Sequence, residues 1–277
     1  MTSQTWFITG ASSGLGAAIA KAALRAGHRV ATTARDSARL ASLVETAPER
    51  VLAVSMDLTA PDHIEAAVTA AEEWHGGINV LVNNAALGYL AAIEEGEDAK
   101  IRTLFETNVL GVAHTIRAAL PGMRHRGRGT IINVSSFNGV VAMPSLGYYS
   151  ATKFALEGLT EALAQEVAPL GIKVMALEPG GIRTGIVERN LRSPRIDAYG
   201  ESAHAIIDLL DNDKDGALAP SDPDRIAEIL VRLVKSGDMP RRLILGTDSW
   251  AGITAALDAR RAEYNAWKDL SHSTSFA

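Results

Sequence analysis

Seven short runs along the chain are apolar almost throughout and rich in β-branched residues: 6–9, 29–33, 51–56, 79–83, 130–134, 172–178 and 242–246. Few of them alternate apolar with polar positions. That is the pattern of strands covered on both faces rather than on one. Between them lie stretches such as "GAAIAKAALRAG", "IEAAVTAAEEWHG" and "FALEGLTEALAQEV", with apolar and small residues at helical spacing. Strand then helix, repeated, gives right-handed βαβ units. The expected fold class is α/β: a doubly wound, seven-stranded parallel sheet with helices on both faces. No linker divides the chain, so 1–277 reads as a single domain. Two places break the rhythm. Residues 185–223 are polar and irregular around a short helical piece, "SAHAIIDLL", and residues 271–277, "SHSTSFA", read as a disordered tail. No internal repeat is visible.

Composition narrows the function. The chain has 277 residues, 47% hydrophobic and 21% charged, with a net charge of −5. That charge carries no basic stripe, which speaks against nucleic acid and anionic membrane surfaces as partners. The longest apolar runs are strand-sized, well short of the roughly 20 residues that span a bilayer. Cysteine is absent, so disulfides, thiol catalysis and cysteine metal sites are excluded. With no leader-like N-terminus either, the expected location is cytoplasmic.

The first strand runs directly into "TGASSGLG", residues 9–16, and then into a helix. Gly10, Gly14 and Gly16 permit a tight turn and close approach of backbone to a pyrophosphate, and the helix N-terminus offers unpaired N–H groups to that anion. At the end of the second strand stand Arg35 and Asp36. An acidic residue there would hold the adenosine ribose of NAD, whereas an arginine accommodates the 2′-phosphate of NADP. Arg35 is the first residue free to turn over the ribose, and Asp36 reads as the N-cap of the next helix. NADP(H) is therefore favoured, with NAD(H) the alternative.

"YYSATK", residues 148–153, poses a question of register. Positions four apart share a helix face, so Tyr149, not Tyr148, can meet Lys153. Taken alone, such a pair is common and carries no function. Asn108, inside "IRTLFETNVLGVAHTI", reads as an exposed helix position as readily as a functional one.

Together these residues carry a resemblance. Gly10, Gly14 and Gly16, then "NNA" at 83–85, then Ser136, Tyr149 and Lys153, then "PGGIRT" at 179–184 are similar in order and interval to the short-chain dehydrogenase/reductase family, over roughly residues 5 to 184. "EPGGIRT" and "YSATKFALEGLTEAL" look most like its steroid- and retinol-dehydrogenase-like branch. The resemblance implies a single-domain Rossmann fold and an oxidoreductase that interconverts an alcohol and a ketone or aldehyde. It casts Tyr149 as general acid/base, its pKa brought down by Lys153 and by an oxidised nicotinamide. Ser136 would orient the substrate carbonyl, with Ser135 the neighbouring alternative, and Asn108 would hold a water in a proton relay to Lys153.

Cofactor contacts implied by the same resemblance are Gly10, Ser12, Ser13, Gly14, Leu15 and Gly16 in the turn, Arg35 at the ribose, and Asp57 and Leu58 at the adenine. Asn84 and Ala85 would pass near the adenine ribose. Tyr149 and Lys153 would reach the nicotinamide ribose, and Pro179, Gly180, Ile182 and Thr184 would line the nicotinamide. Two departures matter. Ala86 stands where the family usually has glycine, and Ser13 stands where many NADP-preferring members carry a basic residue. A rival reading, a dinucleotide-sensing regulator on the same fold, is disfavoured because Asn108, Ser136, Tyr149 and Lys153 are all present.

No metal is expected. "DNDKDGALAPSD", 211–222, imitates a calcium loop, but its twelfth residue is Asp222 rather than Glu and Pro220 sits inside it. His63, His75, His114, His125 and His204 share no ligand spacing. Segment 185–223 is expected to cover the pocket, with Ile186, Val187, Leu191, Ile196, Tyr199, Ile206, Ile207, Leu209 and Leu210 as candidate lining for a fairly apolar small molecule. Finally, Ile101, Leu104, Phe105, Val112, Ile116 and Leu120 on one helix, and Phe154, Leu156, Leu159, Ala162, Leu163 and Val167 on another, span broad arcs. They suggest a homodimer or homotetramer pairing these helices.

Overall fold

A computed structural model describes residues 3–184 and 189–276. The seven apolar runs form one sheet. Its strands are β1 (Thr5–Thr9), β2 (Arg29–Ala34), β3 (Val51–Ser55), β4 (Val80–Asn83), β6 (Gly129–Val134), β7 (Ile172–Pro179) and β9 (Arg242–Leu245). Their order is β3-β2-β1-β4-β6-β7-β9, and every neighbouring pair is parallel. β1 sends its chain outward through β2 to β3. The chain then returns to place β4 on the other side of β1, so strand order reverses between β1 and β4. At such a switch point the helices that follow the two strands diverge to opposite faces and leave a crevice beyond the carboxyl ends.

β1 shows why these strands need no polar face. Trp6 and Ile8 pack with α1 (Gly14–Arg25) and α8 (Pro223–Ser236), through Ile19, Ala22, Leu230 and Val234. Phe7, one residue out of phase, packs on the other side with Ile64 of α3 (Pro61–Glu73), Ile116 of α5 (Gly111–Arg126) and Leu163 of α6 (Gly147–Val167). All five residues of β1 are buried.

The remaining helices are α2 (Ala41–Thr46), α4 (Asp98–Phe105), α7 (Ala205–Asp211), α9 (Thr247–Ala266) and α10 (Lys268–His272). Four expectations require correction. The helix expected through "IRTLFETNVLGVAHTI" is broken into α4 and α5 by a π-turn at Glu106–Leu110, which holds Asn108. Of the residues read as a tail, Ser271 and His272 belong to α10, and Ser273 Oγ and Thr274 Oγ1 donate to the carbonyls of Leu270 and Ser271 at its end. The broad apolar arcs are largely consumed inside the chain: Val112, Ile116, Leu156, Leu163 and Val167 are buried, while Phe154 and Leu159 stay exposed, with Leu110 beside them. The last concerns segment 185–223, which is less irregular than its composition suggests. Its residues Leu191–Arg192 form β8, paired in parallel with β5 (Tyr89–Leu90).

Candidate active site

A cleft of about 1250 Å³ opens at the carboxyl ends of the strands. Its inner wall begins at the glycine-rich turn. Gly10 has φ +70° and Gly14 φ +58°, a left-handed backbone that other residues adopt only with strain. A Cβ on Gly10 would lie 2.8 Å from that of Ala85, and one on Gly16 would lie 2.6 Å from the carbonyl oxygen of Gly10. Gly16 thus does not line the cleft; it lets α1 close onto the turn. Asn84 braces the same turn, donating from Nδ2 to the carbonyls of Thr9 (2.9 Å) and Gly10 (3.2 Å). Ala86 lines the cleft without a positive φ, so alanine costs nothing there.

Gly10, Ser12, Ser13, Gly14, Leu15, Arg35, Asp57, Leu58, Asn84, Ala85, Pro179, Gly180, Ile182 and Thr184 all border this one cleft. Asp57 accepts from the N–H and hydroxyl of Thr59, and these bonds hold its carboxyl below the usual range, the backbone one foremost. Asp36 N-caps the turn after β2 by accepting from Ala38 N (3.0 Å). The cleft, its glycine cradle and the N-terminus of α1, which no side chain caps, fit a dinucleotide.

The reactive end is built by β6 and α6. Tyr149 and Lys153 share a helix face, with Lys153 Nζ 5.7 Å from the tyrosine ring centroid. Tyr148 faces away, donating to the carbonyl of Ile93 and stacking on Tyr89. Ser136 lies at the mouth of β6 beside the Tyr149 phenol, its Oγ accepting from Asn138 N (3.1 Å), whereas the Ser135 hydroxyl is buried without a partner among the described residues. Asn108 is buried rather than exposed and does not line the cleft. Its amide pairs with both backbone groups of Leu87 at 2.8 Å and donates to Thr152 Oγ1, which in turn donates to the carbonyl of Tyr149. It therefore positions the start of α6 and the Leu87 wall.

The charge state departs from expectation. Lys153 is buried, its ammonium donates to the carbonyl of Val134 (2.8 Å), and burial pushes its pKa down to about 8, against the pull of Glu157 one turn on. The Tyr149 phenol is raised, not lowered: burial outweighs the bond from Ser136. The Lys153 ammonium uses one of its three donors on Val134 and stays one helical turn from the phenol ring. A phenol ordinarily titrates near 10, so one raised further keeps its proton at pH 7.

The substrate side differs from the list read in the sequence. Ile206, Leu209 and Leu210 line it, joined by Leu87, Leu90, Met143, Leu146 and Leu218. Leu191, Ile196, Tyr199 and Ile207 do not. Leu191 is held in β8, Tyr199 donates to Glu94, and Ile207 faces inward. Ile186 and Val187 lie outside the described residues. In the stretch resembling a calcium loop, Asp211 pairs with Arg192, Asp213 accepts from Ala217 N and Leu218 N, and Asp222 N-caps α8. Their carboxylates thus serve the loop. Sequence reading missed Arg39, Asp248 and Arg189. Arg39 borders the same cleft as Arg35 and Asp36. Asp248 accepts from Gly181 N at 2.8 Å and holds the "PGG" turn from 67 positions away; nothing in the local pattern announces it.

Comparison with known proteins agrees with this geometry. The family model described as short chain dehydrogenase matches residues 4–194. The chain belongs to the short-chain dehydrogenase family. Like other members of that family, it is an oxidoreductase acting on CH–OH groups with NAD(P). An oxidoreductase of Botryotinia fuckeliana, BOA17, is 36% identical over 97% of this short-chain dehydrogenase and 98% of its own length. A short-chain dehydrogenase from Streptomyces avermitilis superposes with TM-score 0.91 at 39% identity, covering 100% of both chains. Two more distant structures carry cofactor: an alcohol dehydrogenase from Thermococcus sibiricus with 5-hydroxy-NADP (26% identity, TM-score 0.71, 88% of this chain and 96% of that one) and a short-chain dehydrogenase/reductase from Burkholderia phymatum with NAD (25%, 0.81, 95% and 94%). Among the described residues no helix is long and apolar enough to cross a membrane.

Proposed function

We propose that this short-chain dehydrogenase uses NADP(H) to interconvert a fairly apolar ketone or aldehyde and its alcohol, with Tyr149 as the general acid/base. The observation that carries this reading is the convergence of Ser136, Tyr149 and Lys153 on the cleft end opposite Arg35. When bound, the nicotinamide supplies or takes up the hydride. Ser136 donates a hydrogen bond to the substrate oxygen and orients the carbonyl. In reduction, Tyr149 passes its phenolic proton to that oxygen as the hydride reaches carbon. The Lys153 ammonium on the neighbouring turn stabilises the phenolate left behind. A phenol neutral at pH 7 is already in the state that reduction needs. Oxidation requires its deprotonation, and the Lys153 ammonium beside it favours the phenolate that results.

Preference for NADP(H) rests on Arg35 and Arg39, two guanidinium groups at the adenosine end, while Asp36 spends a carboxylate oxygen on Ala38 N. The apolar substrate class rests on Leu87, Leu90, Met143, Leu146, Ile206 and Leu209. Assembly into a homodimer or homotetramer through α5 and α6 is supported by exposed Leu110, Phe154 and Leu159. Light scattering tests it: a mass near 29.3 kDa, that of one chain, would rule it out. The decisive experiment for the activity is a panel of apolar and polar ketones and aldehydes, followed by NADPH consumption. Absence of turnover across the panel, with NADPH bound, would favour a sensing role instead.

A further inference from the structure

We propose that Glu157 is the positioning residue that keeps Lys153 charged: a buried carboxylate one helical turn beyond the lysine, sealed behind the loop that carries Ser136. This role rests on Lys153 supporting Tyr149 as argued above, and it belongs to a residue that does not line the cleft.

Tyr149, Lys153 and Glu157 follow one another at four-residue steps along α6 and share one face of it. The first two border the cleft and the third does not. Glu157 lies further into the protein, where the loop after β6 closes over it. A Cβ on Gly139 would lie 2.5 Å from Ser135 Oγ and 3.2 Å from Glu157 Cγ, so the loop closes more tightly than a side chain there would allow. Lys153 and Glu157 are both buried. Water and salt screen buried charges little, so this carboxylate acts on the ammonium more strongly than one at the same spacing on an exposed helix.

Arg242 does not neutralise Glu157. Its guanidinium is shared among three carboxyl groups. Nη2 donates to the exposed Glu161 at 2.7 Å, while Nε donates to Glu157 Oε2 at 3.3 Å and stands 3.7 Å from Glu178 Oε1. Glu157 Oε1 has no hydrogen-bond partner among the described residues. Buried Glu178 gives way to it: burial first, then the Glu157 charge, push the Glu178 carboxyl up to about 7 against the pull of Arg242. An anion buried with one oxygen unpaired is costly to the fold, and Lys153 is where its field is used.

Other charges near the pair come from three elements. α6 itself supplies Glu161, β7 supplies Glu178, and Arg241 and Arg242 stand just before and at the start of β9. β6 and the loop from Ser136 to Gly139 carry none. α4 and the π-turn, with Asp98, Lys100, Arg102 and Glu106, meet α6 at Tyr148 and Thr152, on another face. Among the described residues Glu157 is the charge that acts on Lys153.

Titration of Lys153 in the full chain tests the assignment. The protein has seven lysines, so the Lys153 Cε signal can be followed by carbon NMR of lysine-labelled protein, with Lys153→Met as the assignment. Reduction of a ketone by NADPH is measured over the same pH range. Glu157→Gln should move the Lys153 midpoint down by roughly one pH unit, as for loss of a close opposite charge. The loss of rate should grow with pH, reaching roughly tenfold at pH 9, because a pKa one unit lower leaves about a tenth of the ammonium there. Glu157→Asp keeps the charge and should recover most of the midpoint. Glu178→Gln removes a carboxyl of the same cluster from β7 and should leave the midpoint in place. A midpoint unmoved by Glu157→Gln would overturn the proposal and leave Glu157 a partner of Arg242 alone. A rate loss equal at every pH would overturn it too, as the mark of a purely structural role. So would equal shifts in Glu157→Gln and Glu178→Gln, by spreading the effect over the whole cluster. If the midpoint moves as expected but Lys153→Met reduces the ketone at the wild-type rate, the electrostatic pairing stands and the reading of Lys153 in the chemistry falls.

Discussion

The two walls of the cleft are built on different principles. The wall proposed to hold the cofactor is made of strand ends and backbone: the turn after β1, Arg35 after β2, Asp57 after β3, Asn84 after β4 and Pro179 ending β7. Each residue is placed by the strand that precedes it, and the parallel sheet fixes the strands. The substrate wall is assembled from sequence-distant pieces by side chains. Glu95 pairs with buried His204, and Arg192 with Asp211. A wall set by the sheet can change little without unfolding it. A wall set by a few side-chain clasps can be rebuilt by substitution while the cofactor half stays intact. That division lets one fold serve many substrates.

The comparison breaks most sharply at the residue shared by both walls. Tyr149→Phe should lower turnover by roughly a thousandfold, the middle of the range for loss of a positioned acid/base. Cofactor Kd should stay near wild type. Tyr148→Phe, one residue away but turned toward Ile93, should stay within about threefold. Steady-state rates and dinucleotide titration on both variants check this; equal losses would mean that the chemistry does not run through Tyr149.

Legibility in the sequence follows the same division. All seven strands of the sheet could be read from apolar runs because burial on both faces leaves a local mark. The glycine turn and the Tyr149–Lys153 register were readable because each depends on residues within one helical turn or one loop. Asp248 and Arg189 were not, since they act on partners 67 and 176 positions away. The pKa of Tyr149 was misjudged for a related reason. Spacing reveals that Lys153 shares its face, but not that Val134 takes one of the ammonium's donors or that burial outweighs it. The π-turn around Asn108 likewise leaves no mark in a helical pattern.

On the cofactor wall the next effect is selective. Arg35→Ala should weaken NADPH by roughly ten- to a hundredfold and leave NADH unchanged, because only NADPH offers a 2′-phosphate to the guanidinium. A double variant with Arg39→Ala should reverse the preference. Lower Kd for NADH than for NADPH in the wild type would transfer the ribose contact to Asp36.

Lys153 gives a test in which activity and stability move in opposite directions. Burial lowers its pKa to about 8, so its ammonium is present below that pH and lost above it. Tyr149 still holds its proton there, so carbonyl reduction loses electrostatic support rather than its acid. The rate should fall by up to about tenfold per pH unit above pH 8. For folding the sign reverses. Between about 8 and the ordinary 10.5 the unfolded chain binds more protons at this residue than the folded one. The cost of burying Lys153 therefore shrinks as pH rises through that window. Rate profiles of the wild type, and denaturation of wild type against Lys153→Met across the same window, should show the two trends. A rate flat through pH 9 would detach Lys153 from the chemistry.

The smallest effect should come from loosening the substrate wall at its buried clasp. Glu95 accepts from Ala92 N and Ile196 N, both at 2.7 Å, and pairs with His204 at 2.6 Å. Burial pushes its carboxyl pKa up, but these bonds, that from Ile196 N first, outweigh it and hold it below the usual range. Glu95→Gln keeps the volume and one acceptor oxygen but turns an N–H₂ toward a donor. One buried backbone N–H is left unpaired, at a cost of about 1–3 kcal/mol. That N–H belongs to the loop carrying Ala92 or to the loop carrying Ile196, so the loss falls on the substrate wall. The variant should melt at lower temperature and show KM for an apolar ketone raised severalfold, about 3- to 10-fold, with NADPH Kd unchanged. Arg195→Ala, which breaks an exposed pair, should change neither by a measurable amount. If Glu95→Gln weakened NADPH as much as it raised KM, the two walls would be one cooperative unit, and the division argued from their construction would fail.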